Sequence, residues 1–236
     1  ISLYPTYQQL YDIPRSFGAE VDLWHIREEN GWLPDLEDLR KLVRSNTKMI
    51  CINNANNPTG AVMEEDFLKE LVKIAEGCGA YILSDEVYKS LETGIEVPSI
   101  VDLYDKGIAV NSISKTYSVP GIRIGWVAAN SELSDIFRKY RDYTMICAGV
   151  FDDYLATYIL ENKEAVLERN RKIVTENMEV LKKWVENEPK VSLIFPKYVS
   201  TSFIKLNVPI DTEEFCLKLL KEKGVLLVCL LYTSDA

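Results

Sequence analysis

Apolar residues recur along this chain in two alternating rhythms. Leu36, Leu39 and Val43 have helical spacing, and Pro34-Asp35 before them reads as a helix start. Met49 to Ile52 is a short apolar run ending in Asn53-Asn54, which suits a buried strand. From Glu64 to Gly77, the positions Phe67, Leu68, Leu71, Val72 and Ile74 predict a helix, closed by Gly77 and Gly79. Tyr81 to Leu83, Gly107 to Ile113 and Ile122 to Ala129 predict three further strands. Short strands separated by helices imply right-handed crossovers and a largely parallel sheet.

The character changes after Ser131. Asp152 to Glu188 contains neither proline nor glycine, and it carries Ile159, Leu160, Val166, Leu167, Ile173, Val174, Met178, Leu181 and Trp184 at helix-like intervals. One or two long helices are expected there. Ser202 to Val208 and Gly224 to Val228 then predict strands, with a helix from Glu213 to Lys223 between them. The expected architecture is α/β over residues 1–150, a mainly parallel sheet with helices on both faces. An incomplete α+β part follows over residues 151–228, entered through the long helix. Open parallel sheets bind ligands at the carboxyl ends of their strands, so functional residues are sought directly after the apolar runs.

Composition narrows this picture. Apolar residues make up 47% and charged residues 27%, enough for one sizeable core in a globular protein. A net charge of −9 argues against nucleic-acid binding, which needs clustered lysine and arginine. No apolar run reaches membrane-spanning length, and the first residues lack the basic start of a signal peptide. The five cysteines, Cys51, Cys78, Cys147, Cys216 and Cys229, are odd in number and none are paired at metal-site spacing. They read as buried free thiols of a reducing, cytoplasmic compartment, and no metal is expected. His25 is the only histidine and has no evident triad or zinc partners, so it is taken as a surface or strand-end residue.

Both ends are unusual. Ile1 is not a start methionine. Cys229 to Ala236, reading CLLYTSDA, resembles the translation of a sequencing-library adapter. Residues 229–236 are therefore expected to be a non-native tail, with an irregular strand end as the alternative.

Four polar clusters fall after apolar runs. Asn54-Ala-Asn-Asn57-Pro58-Thr59-Gly60 could simply be a turn. In Leu83-Ser84-Asp85-Glu86-Val87-Tyr88, Asp85 is expected to be partly buried, or else to cap a helix. In Asn111-Ser112-Ile113-Ser114-Lys115, the lysine could be an ordinary exposed charge. If buried, it would have a lowered pKa and act as a nucleophilic amine. In Gly121-Ile122-Arg123-Ile124-Gly125-Trp126, the arginine needs an anionic partner, and the glycines allow close backbone approach. Taken together the clusters suit one ligand. Arg123 and Ser112 could hold a phosphate, Lys115 could condense with an aldehyde, and Asp85 could keep a pyridine nitrogen protonated.

The order Asn-Pro-Thr-Gly, Asp-x-x-Tyr, Ser-x-Ser-Lys and Gly-x-Arg-x-Gly resembles the class I/II aminotransferases, a fold-type I family that uses pyridoxal 5'-phosphate. The resemblance covers nearly all of residues 1–228. It implies that Lys115 forms the Schiff base and shuttles the substrate proton, and that Asp85 pairs with the ring nitrogen. It further implies that Asn57 and Tyr88 bond the phenolic oxygen and that Ser112, Ser114 and Arg123 take the phosphate. Pro5-Thr6-Tyr7 matches the family's Pro-x-aromatic segment, which would stack Tyr7 on the ring, and Asn57–Pro58 is expected to be cis.

Two departures stand out. Ala55 replaces a frequent proline, which should loosen that turn. The family's glycine-containing phosphate loop and its carboxylate-binding arginine are expected to lie beyond Ile1 and Val228, so the fragment itself is expected to be poorly active. The resemblance implies a homodimeric transaminase acting on an amino acid and a 2-oxo acid. A lyase, cyclising synthase or racemase on the same scaffold, or a sensor domain of a transcriptional regulator, remains open.

Overall fold

The fold is described from a computed structural model, in which residues 1–91, 96–196 and 200–228 are described. Its centre is a six-stranded sheet. In chain order the strands are β1 (Ser2–Tyr4), β2 (Leu23–His25), β3 (Met49–Asn53), β4 (Tyr81–Asp85), β5 (Gly107–Ser112) and β6 (Gly125–Ala128). They lie in the order β2-β1-β3-β4-β5-β6. Every pairing is parallel except β5 with β6, which is antiparallel. The sheet is thus mainly parallel, as the alternation of runs predicts.

Side chains alternate across a strand, so the register sorts the sheet into two faces. Leu3, Trp24, Ile50, Ile52, Ile82 and Ala109 share one face with the main core. Helices α2 (Leu36–Leu42), α3 (Glu65–Cys78) and α4 (Ile100–Leu103) cover it, inserting Leu39, Leu68, Leu71, Val72, Ala75 and Ile100. Trp24 stacks on Phe67 of α3 at 6.4 Å and donates its indole N–H to Asp35 O at 2.8 Å. Helix α1 (Gln9–Ser16) lies on the opposite face, where Tyr11 meets Tyr4 edge-on at 5.6 Å. Helices therefore stand on both faces. His25 ends β2 and packs against the Tyr4 ring, as a strand-end residue should.

Local signals set the helix ends. Asp35 caps α2 by accepting Glu37 N–H at 2.8 Å. Helix α3 stops at Gly79, which adopts a left-handed φ of 70°. Gly77 lies inside the helix rather than closing it. The long helical region is two helices, α6 (Val150–Glu161) and α7 (Lys163–Asn187), which follow α5 (Ser131–Arg141). A two-stranded antiparallel pair, β7 (Val191–Ser192) with β8 (Lys205–Leu206), and helix α8 (Thr212–Lys223) complete the described chain.

Three expected strands need correction. The run from Ile122 begins as a 3-10 turn over Pro120–Ile122, and β6 starts only at Gly125, because Arg123 takes a left-handed φ of 58°. Only Lys205–Leu206 of the run from Ser202 to Val208 pairs as a strand. Gly224 to Val228 is not a strand, because no neighbouring strand among the described residues takes up its backbone groups. Leu226 and Val228 stand 72% and 86% exposed, so the apolar run buries nothing here. Residues 229–236 lie outside the described residues.

Cys51, Cys78, Cys147 and Cys216 are free, but burial holds for only two of them. Cys51 and Cys216 are buried, Cys78 is half-buried and Cys147 is exposed on the segment after α5. Burial pushes the Cys51 thiol up to about 11, which keeps it protonated and inert.

Gly107 lies where α4 closely approaches the sheet. A Cβ built there would sit 2.8 Å from Ile100 O and 2.9 Å from Tyr104 O. These are backbone atoms of α4 and its C-terminal cap, which cannot move aside cheaply, so Gly107→Ala should destabilise the fold by about 1–3 kcal/mol. Urea unfolding checks this; an unchanged midpoint would show that α4 and β5 can separate freely.

Candidate active site

The polar clusters meet where β3, β4 and β5 stop. Asn53 and Asp85 end adjacent parallel strands in register, and Val110 of β5 pairs with Asp85. Asn53 is 1% exposed and uses both ends of its amide. Its Nδ2 donates to Asp85 O at 2.9 Å, and its Oδ1 accepts Asn57 N–H at 2.7 Å. Asn53 thus fixes the position of Asn57 against the end of β4.

The turn from 54 to 60 is built by two further buried amides. Asn54 bonds both the N–H and the carbonyl of Met63 at 2.9 Å. Asn56 donates to Thr59 Oγ1 at 2.9 Å and to Pro5 O at 3.2 Å, and accepts the Thr6 hydroxyl at 2.9 Å. These bonds tie the Pro5-Thr6-Tyr7 segment to the turn and place the half-exposed Tyr7 beside it. Ala55 is 4% exposed, and the side chains of Asn54 and Asn56 on either side of it hold the turn. The Asn57–Pro58 bond is cis as expected, and Tyr4–Pro5 and Asn54–Ala55 are cis as well.

Asp85 is half-buried, and its Oδ1 accepts Val87 N–H at 3.0 Å. Burial raises its pKa above the ordinary carboxylate range, only partly offset by the Val87 bond, and the nearby Glu86 raises it further. No cation pairs with it among the described residues. The Tyr88 phenol is also pushed up, first by burial and then by Asp85 and Tyr7, so it stays protonated as a hydrogen-bond donor. Lys115 Nζ sits over the Tyr88 ring, 5.9 Å from its centroid. Of the two readings left open for Lys115, the structure shows the exposed one, because loop 114–118 carries it out of the sheet end rather than into the core.

Ser112 ends β5 and Ser114 opens that loop, and the Ser112 hydroxyl accepts Ser114 N–H at 3.2 Å. Ser112 faces Gly125 across β5 and β6. A Cβ at Gly125 would stand 2.8 Å from Asn111 O and 3.3 Å from Ser112 Cβ, so the glycine allows this approach. Arg123 lies two residues before it. The Arg123 guanidinium is exposed and donates to Pro120 O at 2.9 Å, and no acidic residue pairs with it among the described residues. The structure therefore brings Asn57, Asp85, Tyr88 and Lys115 to one sheet end. Arg123 shares that region without a direct bond to Ser112 or Lys115.

Several contributors escape the motif reading. Asn53 and Asn56 look like turn residues until their buried partners are seen. Glu86 is 5% exposed and accepts both the Ser99 hydroxyl and Ile100 N–H at 3.0 Å, anchoring the turn after Asp85 to the start of α4. Each is a polar residue beside an apolar run, which is the one signal that could have flagged it.

The model of aminotransferases of class I and II matches residues 1–233. The chain belongs to that family. A solved structure of a PLP-dependent aminotransferase from Streptococcus suis is 68% identical and superposes with a TM-score of 0.94 over 96% of this chain and 60% of that one. An aspartate aminotransferase of Thermotoga maritima is 32% identical over 219 residues, 89% of this chain and 55% of that protein. Capreomycidine synthase of Streptomyces vinaceus is 27% identical over 95% of this chain and 58% of that enzyme. The chain thus spans little more than half the length of these curated relatives.

The raised pKa of Asp85 fixes a sign. A carboxyl protonated more readily when folded than when unfolded lends stability at low pH, and this is lost as pH rises through the folded value. Asp85→Asn keeps the acceptor for Val87 N–H but removes the charge. In the absence of ligand it should raise the melting temperature at neutral pH and flatten the stability–pH curve just above the ordinary carboxylate range. Thermal melts from pH 4 to 8 test this; a variant less stable than wild type at pH 7 would contradict it.

Proposed function

We propose that the intact enzyme moves the amino group of an amino acid to a 2-oxo acid, using pyridoxal 5'-phosphate held at Lys115. The observation that carries this reading is the group of unmatched polar functions at one sheet end. An exposed amine lies over the Tyr88 ring, a half-buried carboxylate lacks a cation, and a guanidinium lacks an acid among the described residues. That donor set fits the cofactor, which pairs an aldehyde, a ring nitrogen and a phosphate. Bound pyridoxal phosphate supplies the electron sink for loss of the substrate α-proton.

The proposed residue roles rest on the family resemblance, and this arrangement supports them. Lys115 would hold the cofactor through its aldehyde, and its amine would serve as the group that moves a proton at the substrate α-carbon. Asp85, in an environment that disfavours its charge, gains by facing a protonated ring nitrogen. Tyr88, held protonated, donates to the cofactor's phenolic oxygen, and the Asn57 side chain joins it there. Ser112, Ser114 and Arg123 would hold the phosphate of the bound cofactor. Tyr7, tied down through Thr6 and Asn56, offers its ring for stacking.

Residues 1–150 form the cofactor-binding part and residues 151–228 part of the small domain in this reading. Free thiols support a cytoplasmic setting. No described helix is long and apolar enough to cross a membrane. Exposed Tyr140, Val150, Phe151 and Tyr154 along α5 and α6 support a homodimer or further covering chain. A synthase or lyase on the same scaffold is the second reading, and the likeness to a protein named capreomycidine synthase favours it.

Borohydride trapping with pyridoxal phosphate, followed by peptide mapping, should place the adduct on Lys115. Lys115→Ala should abolish it and lower turnover of the intact enzyme by at least about 10²–10⁴-fold. Equal labelling of several surface lysines would overturn the assignment. Conversion of the bound cofactor to pyridoxamine phosphate by an amino acid would support transamination. Release of pyruvate and ammonia with no acceptor acid would support the second reading.

A further inference from the structure

The residue after Lys115 is built into the structure more firmly than the lysine itself. Thr116 is 1% exposed. Its hydroxyl lies 2.6 Å from Lys89 O and 3.0 Å from Val87 O, the two carbonyls that flank Tyr88. One hydroxyl thus gathers both sides of the Tyr88 turn. The Thr116 carbonyl in turn accepts the Asn170 side-chain amide at 2.8 Å, from a residue 5% exposed in α7. The next residue of α7, Arg171, donates to Ser90 O at 3.0 Å. Ser118 N–H closes the lysine loop onto Lys115 O at 3.0 Å.

These bonds join three segments distant in sequence: the Tyr88 turn, the Lys115 loop and the middle of α7. Lys115 and Tyr88 make no direct hydrogen bond. Their spacing depends on the backbone that Thr116 holds. We infer that Thr116 is a positioning residue that fixes the Lys115 amine against the Tyr88 ring, and that Asn170 of α7 locks it in place. The inference rests on the reading of Lys115 as the cofactor-binding lysine. Its physical basis is directional. A hydroxyl whose one proton is shared between two part-buried carbonyls sets an angle and a distance, whereas a methyl of the same size donates to neither. Through Asn170, a displacement of α7 would be passed to the lysine loop.

The test compares wild type with Thr116→Val, Thr116→Ser, Asn170→Leu and Lys115→Ala. The probe is pyridoxal phosphate with borohydride trapping, read as the first-order labelling rate of Lys115 at saturating probe and separately as the half-saturation concentration. Hydrogen exchange at residues 88–90 and 116–118 is followed without the probe. Misplacing a reacting group by a fraction of an ångström costs on the order of tenfold in rate. Thr116→Val should therefore slow labelling about tenfold, with little change in half-saturation. Thr116→Ser, which keeps the hydroxyl, should return to near wild type, and Asn170→Leu should fall between them.

Exchange should quicken in both loops in Thr116→Val but stay slow in β4. Equal labelling rates in wild type and Thr116→Val would overturn the inference, and so would a Thr116→Ser variant as slow as Thr116→Val, since that points to packing alone. Those results leave the cofactor reading intact. Failure of wild type to label Lys115 at all removes that reading and the inference with it.

Discussion

The site depends on how a parallel sheet ends. Where β3 and β4 stop side by side, their last residues, Asn53 and Asp85, must satisfy backbone groups that no further strand will reach. Asn53 does so in both directions, donating to Asp85 O and accepting Asn57 N–H. The two chemically important turns thereby share one amide. Asn54 N–H donates to the same Asp85 O at 2.8 Å, so the backbone already ties the start of the turn to the end of β4, and the Asn53 side chain extends that tie to Asn57. The apolar side of the sheet guarantees the register that makes this possible, since Ile50, Ile52 and Ile82 are fully buried and a slip would expose them.

The second constraint is charge left without a partner. Elsewhere in the molecule, lysines and arginines sit in exposed pairs such as Arg40 with Glu37 and Lys69 with Glu65, which add little stability. At the sheet end, Lys115, Arg123 and Asp85 have no such pairing among the described residues, and Asp85 is held where its charge is disfavoured. A fold does not gain from this arrangement by itself. It gains when a ligand brings the complementary groups, which is why the same three residues define both the weakness of the free protein and its proposed chemistry.

Much of this was legible before any coordinates. The periodicity of Leu36, Leu39 and of Phe67 to Ile74 marks two helices, and the apolar runs at Met49, Tyr81 and Gly107 mark three strands within a residue or two of their ends. The order of the four motifs marks the sheet end, because strand termini carry the ligand-facing residues in this architecture. What escaped was of two kinds. Gly224 to Val228 has a strand's composition, but a strand also needs a neighbour, and composition cannot supply one. Asn53, Thr116 and Asn170 act through partners far away in sequence, 54 residues apart for the Asn170–Thr116 bond, and nothing local distinguishes them from ordinary turn or helix residues. The choice between an exposed and a buried Lys115 was open for a related reason: the end of a strand fixes where a loop begins, not how far it reaches into solvent.

The central claim is that one sheet end holds pyridoxal phosphate between Asp85, Tyr88 and Lys115. The most direct measurement is a crystal structure of the protein grown with that cofactor. The account predicts continuous density from Lys115 Nζ to the ligand, the Asp85 carboxylate against the ring nitrogen, and the Arg123 guanidinium turned from Pro120 O onto the phosphate. Cofactor joined to another lysine, such as Lys89, or bound away from the ends of β3, β4 and β5, would contradict it.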